Sequence, residues 1–209
     1  MYGFLSKLII SKQLKFNEGE IVLFGEPIAF MPMASLFYMT KDAIKNGKKA
    51  INDLYYYGWV YGYVLTLAMV KKFGLRKFEE RYKVSMDIAS LCGFGDYKTL
   101  DFVKGHSNFK VLKNPFALEF YPSKNMVDHY LRGMNAGGGS LVHMKIINCI
   151  EFECAAKNGS YCRFENLDKK RLDKVDKKLV DSQLDYKYLL KKQKTLIEDC
   201  KEKVEDYEL

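Results

Sequence analysis

The amino-acid sequence predicts an α+β fold, in which an antiparallel sheet is backed by a helical layer and followed by a long C-terminal helix. Strand-like runs come in pairs joined by short turns, and three helical stretches cluster between the first two pairs. Residues 168–209 contain neither glycine nor proline. Hairpin-linked strands with clustered helices favour an antiparallel sheet over a parallel sheet built from alternating strands and helices.

The first half of the chain is predicted to contain one hairpin and three helices. Strands are expected at residues 8–16 and 21–24, because both runs are largely apolar and the sequence NEGE between them is typical of a turn. Apolar periodicity then predicts three helices, each followed by a glycine of the kind that ends helices. The helices span residues 33–46, 50–73 and 76–91, and the glycines are Gly47, Gly74 and Gly93.

The second half is predicted to contain two more hairpins on either side of a helix. The first pairs residues 100–103 with 108–112 around the turn GHSN, and Asn114-Pro115 ends it. A helix is expected at residues 126–143. The last hairpin pairs residues 144–156 with 160–164 through Lys157-Asn158-Gly159, since Asn-Gly is a strong turn signal.

Composition excludes several protein classes. The chain has 209 residues, 48% of them hydrophobic and 29% charged, which is ordinary for a globular protein and rules out general disorder. The most apolar stretch, residues 55–70, contains Gly58 and Gly62 and is too short to span a membrane. No signal peptide is evident and the five cysteines are scattered, so a cytoplasmic protein is expected. The net charge of +8 fits a solvated surface, a nucleic acid partner or an anionic membrane surface, and does not discriminate between them.

The C-terminal segment, residues 168–209, has 12 basic and 11 acidic residues and is predicted to be one helix. Apolar side chains recur there at alternating steps of four and three, the spacing of coiled coils. They are Tyr186, Leu190, Ile197, Cys200, Val204 and Tyr207, with Gln193 at the remaining position. Two interpretations stay open: the helix packs along its own domain, or it pairs with a second copy or another protein.

The sequence shows no enzymatic signature. No phosphate-binding loop, dinucleotide-binding glycine pattern, nucleophile elbow or HExxH zinc motif occurs in it. The three histidines, His106, His129 and His143, have no nucleophile at a known catalytic spacing. The residues therefore favour a binding protein over an enzyme.

The last hairpin carries the most specific pattern. Its turn brings Cys162 back beside Cys154, with Glu151 three residues upstream, although strand alternation places Glu151 and Cys154 on opposite faces. Sulfur and carboxylate donors at this spacing suit a tetrahedral zinc ion. The alternative is that the two cysteines simply fill the core.

The segment ECAAKNGSYCRFE at residues 153–165 resembles the C-terminal signature of the vinyl-4-reductase domain family, also called the archaeal hydrocarbon-binding protein family, which is distantly similar to the TRAPP tethering subunits. The resemblance covers roughly residues 20–166. Further similar segments are LYYYGWVYG at 54–62, LCGFG at 91–95, KNPFA at 113–117 and GMNAG at 133–137.

This resemblance implies an antiparallel sheet backed by helices, a homodimer, and an apolar cavity between helices and sheet. Members sense small ligands, and some are fused to transcription activators that detect phenols. It also implies a four-ligand zinc site at Asp128, Glu151, Cys154 and Cys162, in which Asp128 replaces the cysteine of zinc-carrying members. We expect Lys157 or Arg163 to balance the negative charge of such a site.

The resulting functional hypothesis is a homodimeric, non-enzymatic module at residues 1–167 that binds a hydrophobic or aromatic molecule, followed by the charged helical segment. The ligand pocket is expected beside the helix that carries Gly58 and Gly62, with the rings of Tyr55, Trp59, Tyr63 and Phe94. A protein-binding scaffold and an accessory or reductase role in tetrapyrrole metabolism are the alternatives. Because few residues precede the matched region, no sequence-specific nucleic acid binding is expected.

Overall fold

A computed structural model describes the backbone of residues 2–202 and the side chains of residues 6–202. Within these residues the chain forms ten helices and seven strands. The helices are α1 (Tyr2–Ile10), α2 (Met33–Asn46), α3 (Lys48–Phe73), α4 (Phe78–Leu91), α5 (Pro115–Glu119), α6 (His129–His143), α7 (Ala155–Asn158), α8 (Lys169–Leu172), α9 (Lys177–Gln183) and α10 (Tyr186–Asp199). The strands are β1 (Leu14–Asn17), β2 (Glu20–Leu23), β3 (Glu26–Ile28), β4 (Asp96–Val103), β5 (His106–Leu112), β6 (Asn148–Glu153) and β7 (Tyr161–Leu167).

The strands form two antiparallel sheets, and the predicted α+β fold is confirmed. The small sheet has the order β1-β2-β3, and the large sheet has the order β4-β5-β7-β6. Helix α6 packs on the large sheet, where the Asn166 side chain donates to the Asn135 carbonyl at 3.0 Å and the Ile147 N–H donates to Ser140 Oγ at 3.0 Å. No helix among residues 2–202 is long and apolar enough to cross a bilayer.

Helices α3 and α6 pack with their backbones in contact. A Cβ atom added at Gly58 or Gly62 of α3 would lie 2.0 Å from a carbonyl oxygen of α6. A Cβ atom at Gly133 or Gly137 of α6 would lie 1.9 Å or 2.0 Å from a carbonyl oxygen of α3. Real Cβ atoms cannot approach so closely, so this contact requires glycine at all four positions.

The three long helices before the large sheet begin and end nearly where their patterns predict. Helix α2 has the predicted bounds, and α3 begins two residues earlier than predicted and ends at Phe73. Gly74 follows α3 in the left-handed conformation, with φ of 61°, and its N–H donates to the carbonyl of Val70. This is the glycine helix ending that the sequence indicates.

The N-terminal region departs from the prediction in two places. Residues 8–10 belong to helix α1 and not to a strand, because Leu8 packs into a small core with Leu23 and Phe24. Strand β3 was not predicted because it contains Pro27. Proline is tolerated there because β3 is an edge strand, where one side of the backbone needs no partner.

Two predicted turns are wrong in detail. The turn between β4 and β5 is Lys104-Gly105, since Val103 pairs with His106 and Gly105 supplies the positive φ of 84°. In the last hairpin, strand β6 ends at Glu153 and the one-turn helix α7 follows. Asn158 closes this connection, because its Oδ1 accepts hydrogen bonds from the N–H groups of Ser160 and Tyr161.

Between residues 168 and 202 the C-terminal segment forms three helices and not one. Each of α8, α9 and α10 begins at its own aspartate, Asp168, Asp176 or Asp185, whose side chain accepts backbone N–H groups of the first turn. In α10, Leu189, Gln193 and Ile197 are buried within the chain itself. Val204 and Tyr207 lie outside the described residues, and pairing of this helix with a second copy stays a prediction.

The glycine contact gives a sharp test within one helix. We expect Gly137→Ala to lower the free energy of unfolding by about 3 kcal/mol, because the new methyl group meets backbone that cannot move aside. Gly138→Ala is the matched control, since a Cβ there meets the side chain of Thr66 at 3.0 Å and no backbone atom closer than 3.7 Å. Its effect should stay within about 1 kcal/mol of wild type, because alanine also favours the helix. If urea unfolding showed that the two variants lose the same amount of unfolding free energy, this result would contradict the backbone contact.

Candidate functional site

Asp128, Glu151, Cys154 and Cys162 come together in the interior of the domain. One ligand atom from each of the four side chains lies within 4.8 Å of the other three, and all four residues are buried. Cys162 Sγ lies 2.9 Å from Asp128 Oδ2, and Cys154 Sγ lies 3.9 Å from the same oxygen. The sequence predicted this set of four residues, and we call it the Asp-Glu-Cys-Cys cluster.

Strand β6 and the residues around it assemble the cluster through an irregularity. Regular alternation would place Glu151 and Cys154 on opposite faces of the strand, as expected from the sequence. The register between β6 and β7 shifts between Glu151 and Glu153, which is a β-bulge. Glu151 is therefore buried while Glu153 lies at the surface, and Glu151 and Cys154 face the same interior site.

Asn114 holds the cluster in place and was not predicted as a site residue. Its Nδ2 donates to Asp128 Oδ1 at 3.0 Å and to Cys162 Sγ at 3.4 Å. Its Oδ1 accepts the N–H groups of Phe116 and Ala117, so the same side chain caps helix α5. The signal available in the sequence was Asn followed by Pro, the pattern of an N-cap before the first helical residue.

The electrostatics of the cluster favour either protonated, uncharged carboxyl groups or a bound cation. Burial raises the pKa of the Asp128 carboxyl, and burial beside Asp128 raises the pKa of Glu151 well above its usual range. Neither carboxylate oxygen of Glu151 accepts a hydrogen bond from a backbone or amide donor among the described residues, and its neighbours Asp128 and Cys154 can hydrogen-bond to it only when one of these groups carries a proton. A buried carboxylate without a partner is costly, so this side chain needs a proton or a metal ion.

The neighbouring cation is Arg132, and the expectation of Lys157 or Arg163 is wrong. Arg132 is fully buried on α6 and lowers the pKa of Asp128. Arg163 pairs instead with Glu153 at 3.0 Å and Glu165 at 2.7 Å, and Lys157 is exposed. A buried guanidinium offsets the charge of two carboxylates more strongly than an exposed lysine would.

The donor set fits zinc. Two sulfur and two carboxylate ligands suit a tetrahedral site, and bonds of about 2.0–2.3 Å bring such ligand atoms to within about 4 Å of one another. The four side chains need only small movements to reach that geometry from their present separations. A bound metal would also satisfy the oxygens of Glu151.

A second feature is a cavity between helices α3, α4 and α6 and the large sheet, with an enclosed volume of about 60 Å³. Aromatic and aliphatic side chains such as Tyr61, Leu65, Tyr82 and Phe109 line it. Five buried polar atoms that have no hydrogen-bond partner among the described residues belong to residues that also line it. They are Ser85 Oγ, Ser107 Oγ, Asn135 Nδ2, His143 Nε2 and Asn166 Oδ1.

The hydrogen bonds around the cavity fix which polar groups are available. The Gly105 N–H donates to His143 Nδ1 at 3.1 Å, so the ring proton of the neutral imidazole lies on Nε2. Burial lowers the pKa of His143 to about 3, which keeps this ring neutral. Asn135 Oδ1 accepts the Tyr97 hydroxyl at 3.0 Å, and Asn166 Nδ2 donates to the Asn135 carbonyl. His143 therefore offers a donor, Asn135 a donor and Asn166 an acceptor.

The four rings expected to form the pocket do not line this cavity, and their contact with a ligand stays a prediction. Tyr55, Trp59 and Tyr63 are fully buried on a different face of α3 and do not line this cavity. The Tyr55 hydroxyl donates to Asn148 Oδ1 at 3.2 Å, Trp59 Nε1 donates to the Ile147 carbonyl at 3.4 Å, and Trp59 stacks on Tyr63. Phe94 lines a separate groove at the surface. The cavity does border the helix with Gly58 and Gly62, through Tyr61, Gly62, Leu65 and Thr66.

No protein-family model matches the chain, and no curated protein sequence matches it. Solved structures do match. One is the phenol-responsive sensory domain of the transcription activator PoxR, solved with phenol, at a TM-score of 0.67 and 19% identity over 84% of this chain and 92% of that one. The chain has the fold of this sensory domain. A vinyl-4-reductase family protein from Methanocaldococcus jannaschii also matches, at a TM-score of 0.41 and 18% identity, over 66% of this chain and 97% of that one. The fold that the resemblance in the sequence implies is confirmed by the likeness to the sensory domain.

Because His143 is buried in its neutral form, we expect the protein to lose stability in acid. Its pKa falls from the usual 6.5 to about 3 on folding, so its stabilising effect is full above pH 6.5 and is lost as the pH falls toward 3. Between pH 7 and pH 5 this group should remove about 2 kcal/mol from the free energy of unfolding.

Urea unfolding of wild type and His143→Gln at both pH values measures this effect. The variant should lose less stability on acidification, and His129, which is also buried and has a pKa of about 3, contributes equally to both proteins. Identical pH dependence in the two proteins would show that His143 does not titrate in this range.

Proposed function

We propose that the chain is a non-enzymatic sensor domain for a small aromatic molecule that carries a polar substituent. The observation that supports this proposal most directly is the cavity whose lining includes the rings of Tyr61, Tyr82 and Phe109 together with five residues that carry unpartnered polar side-chain atoms. The shared fold with a sensory domain that responds to phenol supports the same ligand class.

The unpartnered polar groups around the cavity explain why we propose a ligand with a polar substituent over an entirely apolar one. Leaving a buried donor or acceptor unpaired costs about 1–3 kcal/mol, so an entirely apolar ligand would displace water without replacing its hydrogen bonds. A ligand hydroxyl would accept from His143 Nε2–H and donate to Asn166 Oδ1. The aromatic side chains would then pack against the ligand ring.

Phenol and toluene, which have nearly the same shape, test this selectivity. We expect wild type to bind phenol about tenfold more tightly than toluene, because one net hydrogen bond contributes about 1–1.5 kcal/mol. His143→Phe should reduce this ratio, while Tyr57→Ala, which alters an exposed ring outside the cavity, should preserve it. Calorimetric titration measures both affinities. Failure of a folded wild-type protein to bind either compound at millimolar concentration would contradict the proposed ligand class.

We further propose that the Asp-Glu-Cys-Cys cluster binds zinc as a structural ion. It would link the start of α6, through Asp128, to the β6–β7 hairpin, and its ligands would be deprotonated when the metal is bound. A site of four protein ligands with no open position is typical of structural zinc.

Metal content measured by mass spectrometry of purified protein tests the zinc proposal. Wild type should hold about one zinc ion per chain, and Cys162→Ala and Glu151→Gln should hold much less. Cys149→Ala is the matched control, because Cys149 is equally buried on the same hairpin but lies outside the cluster. Zinc contents that are near zero in wild type, or equal in all four proteins, would refute the site.

The sensor is proposed to act as a homodimer, as the family resemblance implies. Tyr186 and Leu190 on α10 are only partly buried within the chain and remain available for pairing, unlike Leu189 and Ile197. Light scattering should give twice the 24.3 kDa mass of one chain. Leu190→Glu should yield monomers, whereas Lys187→Glu, an exposed position on the same helix, should not. A wild-type monomer at micromolar concentration would exclude the dimer.

A further inference from the structure

An apolar groove lies on the surface beside the cavity. Its volume is about 400 Å³, and its walls come from the small sheet, the residues before α2, and helices α2, α3, α4 and α6. Phe16 and Phe30 on its rim are 61% and 77% exposed. We call this feature the outer groove.

The outer groove and the cavity share one wall. Tyr61, Ile88 and Cys92 line both spaces, so the wall is a single layer of side chains. The Tyr61 hydroxyl contacts Cys92 Sγ at 3.5 Å and closes the layer. Tyr61 is 37% exposed, Cys92 is half-buried and Ile88 is buried, so Tyr61 is the most exposed member of the wall.

Tyr61 is also the member of the wall that can move at low cost. An O–H contact to sulfur is a weak hydrogen bond, and turning the ring toward the groove breaks only that bond and side-chain packing. The groove beside the ring has a volume of about 400 Å³, which leaves room for the ring, and Tyr61 contacts Tyr130 there at 6.3 Å between ring centroids. Ile88 is branched at Cβ and enclosed by other side chains, and it has no comparable freedom.

We propose that Tyr61 is a door through which a small aromatic ligand passes from the outer groove into the cavity. The inference rests on the proposed function and adds the route of access. The groove collects the apolar ring, Tyr61 turns aside to admit it, and the polar groups of the cavity then bind its substituent. With the door closed, the ring of Tyr61 separates the bound ligand from solvent.

The exchange rates of 4-fluorophenol, measured by fluorine NMR, test the door. Tyr61→Ala should raise the association rate about tenfold, because it removes the barrier to access. Loss of a mere binding contact would raise only the dissociation rate. Tyr61→Phe keeps the ring but loses the contact with Cys92, and should give a smaller acceleration. Tyr57→Ala, on the same helix but in neither space, should exchange as wild type does.

An association rate in Tyr61→Ala equal to that of wild type would overturn the door while leaving the ligand proposal intact. If wild type does not bind 4-fluorophenol, the proposed function fails for this probe, and xenon, which needs no hydrogen bond, decides the route. Xenon-129 NMR should then show faster exchange into the cavity of Tyr61→Ala than of wild type or Tyr57→Ala. Equal xenon exchange in the three proteins would also overturn the door.

Discussion

The contact between helices α3 and α6 depends on four glycines, and most of the domain depends on that contact. Because Gly58, Gly62, Gly133 and Gly137 carry no side chains, the two backbones approach to a distance that any Cβ atom would prevent. The large rings of α3 beside these glycines must then point past α6 toward the sheet, where Trp59 bonds the carbonyl of Ile147. The close approach thus sets both the position of α6 and the packing of the aromatic core.

Helix α6 connects the two candidate sites, because it carries residues of both. Asp128 stands immediately before its first residue and belongs to the Asp-Glu-Cys-Cys cluster. Asn135 and His143 lie along and at the end of the same helix and border the cavity. A metal ion that fixes Asp128 to the β6–β7 hairpin would therefore also restrict the residues that contact a ligand.

The C-terminal segment protects the edge of the large sheet next to the cluster. Strand β6 is an edge strand, and an unpaired edge invites association with other chains. The Gln183 side chain accepts the Glu151 N–H at 2.9 Å and donates to the Glu151 carbonyl at 2.8 Å, as a further strand would. Arg132 donates to the carbonyls of Cys149 and Gln183 and joins this edge to α6. The buried arginine that balances the cluster thus also holds the C-terminal helices in place.

The sequence predicted those features of the structure that depend on interactions between residues close together in the chain. Glycine endings gave the long helices, and the spacing of Cys154 and Cys162, together with the family resemblance, gave the cluster. The break of the C-terminal segment into three helices was readable from Asp176 and Asp185, which cap two of them, but the repeat spacing outweighed these caps in the prediction. Periodicity alone does not say which face of α3 meets the cavity, because α3 is buried on several faces. The close approach of α6 at its glycines determines which face of α3 meets the cavity. Trp59 and its neighbours then point toward the sheet, and Tyr61 and Leu65 lie beside the cavity.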